Sequence, residues 1–67
     1  MQQGAAIEIF KLNVEAFPSS GNTYDSLAEA YMAAGETELA IKNYAKSLEL
    51  DPENRNAVDK LNELMKR

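Results

Sequence analysis

Apolar side chains return every three or four positions along most of the chain. Proline, glycine and small polar residues cut the runs that carry them. Ile7, Phe10, Val14 and Phe17 form one such stripe, the pattern of an amphipathic helix. Pro18 cannot continue that helix, which places its end near Ala16 or Phe17. The following Ser-Ser-Gly-Asn stretch supplies turn residues, with Ser20 and Asn22 as candidate caps. A second helix is predicted from Thr23 to Ala34, with Tyr24, Leu27, Ala28 and Tyr31 on its inner face. Gly35 stands where the chain must turn left-handed, which glycine does without steric penalty. The third helix is predicted over Thr37 to Leu50, with Leu39, Ala40, Ile41, Tyr44, Ser47 and Leu48 inward. Glu38 and Lys42, four apart on its surface, predict an exposed ion pair. Pro52 closes this helix and Asn54 caps a fourth. That fourth helix turns Val58, Leu61, Leu64 and Met65 inward and Asp59, Lys60, Glu63, Lys66 and Arg67 outward. Strand-like alternation is absent from the pattern. The predicted fold class is all-α, about four helices packed as antiparallel helix-turn-helix units.

The two prolines lie 34 positions apart, and the same shift aligns much of the inner face. Ala6 falls on Ala40, Ile7 on Ile41, Phe10 on Tyr44, Val14 on Leu48, Tyr24 on Val58 and Leu27 on Leu61. One helical hairpin cannot bury its apolar face alone, and stacked hairpins can. A 34-residue, two-helix period resembles the tetratricopeptide repeat, whose pattern runs W-x2-L-G-x2-Y, A-x3-F, P. Here it reads Tyr24-x2-Leu27-Ala28-x2-Tyr31, Ala40-x3-Tyr44, Pro52, with Gly35 at the inner turn. The resemblance divides the single domain of residues 1–67 into three parts. Residues 1–20 form the second helix of a preceding repeat, 21–54 a complete repeat, and 55–67 a C-terminal capping helix. A looser likeness, to repeat segments near the C-termini of some bacterial serine hydrolases, carries no catalytic expectation. The S-x-x-K motif of such enzymes is missing.

Two positions depart from the pattern. Gly4 precedes Ala6 by two residues, whereas Gly35 precedes Ala40 by five. Gly4 is therefore either the remnant of a shortened turn or unrelated to one, and the first helix lacks its hairpin partner. Asn13 falls on Ser47, at a position expected to be buried, where an amide must find hydrogen-bond partners.

Composition narrows the chemistry. The 67 residues contain neither cysteine nor histidine, which removes thiolate chemistry and the commonest general base and neutral metal ligand. Isolated carboxylate pairs (Glu36 and Glu38, Asp51 and Glu53, Asp25 and Glu29) lack surroundings that would desolvate one member of each. The calcium-loop spacing and the phosphate-cradling glycine loop are both missing. No catalytic residue, cofactor or metal site is expected, and the chain is read as no enzyme. Seven basic against eleven acidic residues leave a net charge of −4, which argues against a nucleic-acid surface. The start, Met-Gln-Gln-Gly-Ala-Ala-Ile, has neither the basic region nor the apolar run of a signal peptide. No stretch approaches the roughly 18 apolar residues of a membrane span. A cytoplasmic setting is the expectation.

The family resemblance implies a function in contact. The first helix of each repeat in the family lines a groove that receives a peptide or partner helix. By position, Asn22, Asp25, Ser26, Glu29, Met32 and Ala33 would face it here, with Asn56, Asp59, Lys60, Glu63 and Lys66 continuing the surface. Asp25 and Glu29 would repel an acidic C-terminus, so a neutral or basic protein or peptide partner is expected. The alternative is a minimal repeat scaffold that associates with copies of itself. Ile9 and Leu12, beside Ile7 and Phe10, make the first helix apolar nearly all round, which would suit such an interface.

Overall fold

The helices meet their predicted limits closely because the signals that end them are local. In the computed structural model, which describes residues 2–66 and the side chains of residues 4–66, α1 spans Gln2–Ala16 and α2 Gly21–Ala33. Helix α3 spans Thr37–Leu50 and α4 Arg55–Met65. No strand occurs among the described residues. Arg67, expected on the outside of the fourth helix, lies beyond them. Gly4 sits within α1, and a Cβ added there would meet nothing within 4 Å. It marks no turn.

Helix α2 begins two residues before the predicted Thr23, for a reason that lies far along the chain. Gly21 is buried against the end of α3. A Cβ on it would stand 3.0 Å from the Asp51 Cβ and 3.1 Å from the Ser47 carbonyl oxygen. Ser20 is the N-cap residue, but its side chain makes no cap bond, and Asn22 lies inside the helix. Thr23 holds the entry instead, its Oγ1 donating to the Ser20 and Phe17 carbonyls at 2.8 and 3.2 Å.

The α2–α3 turn is a Schellman closure. The Glu36 amide donates to the Tyr31 carbonyl at 2.8 Å and the Gly35 amide to that of Met32 at 3.0 Å. Gly35 adopts φ +80°, the only positive φ among the described residues. Gly35→Ala should destabilise the fold by about 1 kcal/mol, from the Cβ clash of the left-handed conformation. A urea midpoint unchanged from the parent chain would contradict this.

Helix α2 packs most broadly on α3 and then on α1, while α4 packs on α3. The result is a slab of 28 × 27 × 14 Å. Its core is Leu27, Ala28, Tyr31, Ala40, Tyr44, Ala57 and Leu64, with Ile7, Phe10, Val14, Met32, Ile41, Leu48 and Leu61 packed around it. Ala28, Ala40 and Ala57 are wholly buried, as close packing of neighbouring helices requires.

Some inward expectations fail at the edges of the stripes. Phe17, just past the end of α1, is 61% exposed, and Met65, in the last turn of α4, is 68% exposed. Leu39 is 40% exposed at the rim of α3. Asn13 is exposed as well, so its amide needs no buried partner. In the complete repeat the equivalent Ser47 is covered by the start of α2. Glu38 and Lys42 do not come within 4 Å. The ion pair on α3 is Lys46–Glu49, at 3.3 Å.

Candidate functional site on the outer faces of α2 and α4

Asn54 is the residue on which three helices converge. Its Oδ1 accepts from the Ala57 amide at 3.3 Å, capping α4 as the sequence predicts. Its Nδ2 donates to Ser47 Oγ and to Asp25 Oδ2, each at 2.9 Å. Ser47, fully buried, donates in turn to the Gly21 carbonyl at 2.9 Å. A single amide thus ties the start of α4 to the end of α3 and the first turns of α2.

A second asparagine extends this network to the surface. Asn56 Nδ2 lies 2.9 and 3.2 Å from the two Asp25 oxygens and 3.4 Å from Glu29 Oε2. Asp25 and Glu29 therefore share one amide donor across the α2–α4 junction, Asp25 half-buried and Glu29 exposed. Their charge reaches inward to Tyr44, whose hydroxyl is buried without a hydrogen-bond partner. Burial above all, then the negative charges of Glu29 and Asp25, push the phenol up to about 12.

The remaining expected contact residues are spread more widely. Asn22 and Ala33 are exposed, while Ser26 and Lys60 are half-buried. Met32 packs against the core. On α1, Ile7 and Phe10 also pack against the core, whereas Ile9 and Leu12 are 57% and 62% exposed. Two open concavities of about 570 and 530 Å³ lie between α1, α2 and α3, away from Asp25 and Asn56. Ala33 lines the second of them. Among the described residues no group of three carboxylates gathers closely enough to hold a metal ion.

Sequence reasoning missed the joining of Asp25 to Asn54 and Asn56. A carboxylate on one helix and two asparagines at the start of another, 29 and 31 positions on, were the available signal.

The Tetratricopeptide repeat family profile matches residues 21–54, just over half of the chain. Its limits coincide with the buried Gly21 and the capping Asn54. Human Superkiller complex protein 3 is 33% identical over 60 residues, which cover 90% of this chain. The chain spans only 4% of that relative's length. No described helix is long and apolar enough to cross a membrane. The 34-residue period, the hairpin closed at Gly35 and the alanine-lined crossings carry the same assignment: this chain belongs to the tetratricopeptide repeat family, an all-helical repeat of protein–protein interaction that is generally non-catalytic.

Proposed function

We propose that the chain is a binding module that presents the open side of α2 and α4 to a neutral or basic peptide or protein segment. In this reading residues 21–54 are one complete repeat. Residues 1–20 supply the second helix of a preceding repeat, and 55–67 act as a cap. The observation that supports it is the positioning of Glu29 and Asp25 by Asn56, which holds two carboxylates at one place on an otherwise uncommitted helix face. Asn22, Ser26, Met32, Ala33 and Lys60 would contribute the surrounding contacts. Cationic side chains of a partner would gain from that charge, and an acidic carboxyl terminus would be repelled.

The test is fluorescence anisotropy with a basic and an acidic 12-residue peptide against the parent chain and Glu29→Lys. Glu29 is exposed, so its replacement leaves the core intact. The basic peptide should bind, and the variant should weaken it about tenfold. A basic peptide indifferent to Glu29→Lys, or an acidic one that shifts the amide resonances of Asp25 and Asn56, counts against the reading.

A second reading, self-association through α1, is favoured by the exposure of Ile9 and Leu12. Under the 34-residue shift they fall on Asn43 and Lys46, which line the concavity facing α1 in the complete repeat. A helix from a second copy would pack at the equivalent place. Light scattering across a concentration series should then give a rising mass that Ile9→Lys with Leu12→Glu abolishes. A constant monomer mass removes this reading.

A further inference from the structure

The two concavities share Lys11, Tyr31 and Leu39, so they adjoin, and together they are treated as one trough between α1 and α3 over α2. Its floor is apolar, with Leu39 exposed and Tyr24 half-buried along it above the buried Tyr31. Its rim is basic: Lys11 from α1, and Lys42 and Lys46 from α3. Three of the seven basic residues of a chain with net charge −4 are gathered here. The carboxylates that line the trough are Glu49, engaged by Lys46 at 3.3 Å, and Glu36 at the far end. Glu8, Glu15 and Glu38 sit near the lysines on their own helices but do not line it. Among the described residues Lys11 and Lys42 have no carboxylate within 4 Å.

We propose that this trough is a second binding face, separate from the α2–α4 surface, and that it takes an acidic amphipathic segment of a partner protein. Leu39 to Glu49 spans about 15 Å along α3, room for roughly three turns of a bound helix. Apolar side chains of such a segment would cover Tyr24 and Leu39, and flanking carboxylates would meet Lys11 and Lys42. Charge complementarity selects this occupant. A basic segment would meet the unpaired Lys11 and Lys42 as like charges.

A display selection of randomised 12-residue peptides against the full chain tests the proposal. Enriched peptides are then measured on the parent chain and on Lys42→Glu, Leu39→Ala and Glu29→Lys. Lys42 and Leu39 are both exposed, and far-UV circular dichroism confirms that each variant folds. The expected result is enrichment of peptides with aspartate or glutamate beside apolar residues at helical spacing. Their affinity should fall about tenfold on Lys42→Glu and on Leu39→Ala, and should be unchanged on Glu29→Lys. No enrichment, enrichment of basic peptides, or affinity that follows Glu29→Lys overturns the proposal. A concentration-dependent mass that Lys42→Glu abolishes gives the trough to a second copy and overturns it equally. Because Glu29→Lys reports on the α2–α4 face alone, failure there leaves the trough result interpretable.

Discussion

Tyr44→Ala should leave the chain largely unfolded at 25 °C. The ring is wholly buried, the largest side chain with no exposed surface among the described residues, and it stands on the helix that packs against both α2 and α4. Truncating a buried aromatic residue costs about 3–5 kcal/mol. A single core in a chain this short supplies only about 3–5 kcal/mol in total. The two figures are equal, so the variant should show reduced helicity without denaturant and no clear baseline in a urea titration followed by circular dichroism. A cooperative transition near the parent midpoint would contradict it.

Tyr44→Phe separates the ring from its hydroxyl. That hydroxyl is buried without a partner, so its removal should raise stability by about 1 kcal/mol at neutral pH. The gain should widen in alkali. The native state holds the phenolic proton up to about 12, whereas the unfolded chain releases it near the ordinary tyrosine value of 10.0. The unfolded state therefore ionises first. Stability from this group is fully present below pH 10 and is lost as the pH climbs through 12. Urea midpoints at pH 8 and pH 11 should accordingly diverge between the two proteins, and parallel pH profiles would refute the assignment.

Tyr44 illustrates what the sequence makes legible. Its place in the core follows from helical spacing and from the repeat, as do those of Leu27, Ala28, Tyr31 and Ala40. Gly35, Pro52 and Asn54 were equally readable, because left-handed turns, helix stops and N-caps are decided within a few residues. Leu39, Met65 and Phe17 mark the boundary of that method. Each continues an apolar pattern, yet whether a stripe edge is covered depends on a neighbouring helix that periodicity does not place. The Glu38–Lys42 spacing met the same limit: that pair does not close although Lys46–Glu49 does, because an exposed ion pair gains too little to fix two long side chains. The polar junction was less readable still. Ser47, Asn54 and Asp25 meet across separations of 7 and 29 positions, and no local rule joins a cap residue to a carboxylate on another hairpin. The basic trough was hidden for the same reason, its lysines coming from two helices that only the tertiary fold sets side by side.

Asn54→Ala should cost about 2 kcal/mol, one cap bond and the hydrogen bonds to Ser47 and Asp25 being lost together. The loss should fall first on α4, seen as faster hydrogen exchange at Ala57 to Leu64 than along α2 and α3. Asn54→Asp sharpens the argument. It keeps an oxygen for the Ala57 amide but removes both donors and brings a second carboxylate to hydrogen-bond range of Asp25. At neutral pH it should therefore be no more stable than the alanine variant, despite retaining the cap. Exchanging the two residues, Asp25→Asn with Asn54→Asp, restores one donor and one acceptor across the junction. The double variant should recover about 1 kcal/mol relative to the sum of the single changes. Additive effects would mean that Asn54 acts as a cap alone and that Asp25 is free to serve a ligand. A coupling of the expected size would commit Asp25 to holding α4 in place, leaving Glu29 as the carboxylate with which the outer face meets a partner.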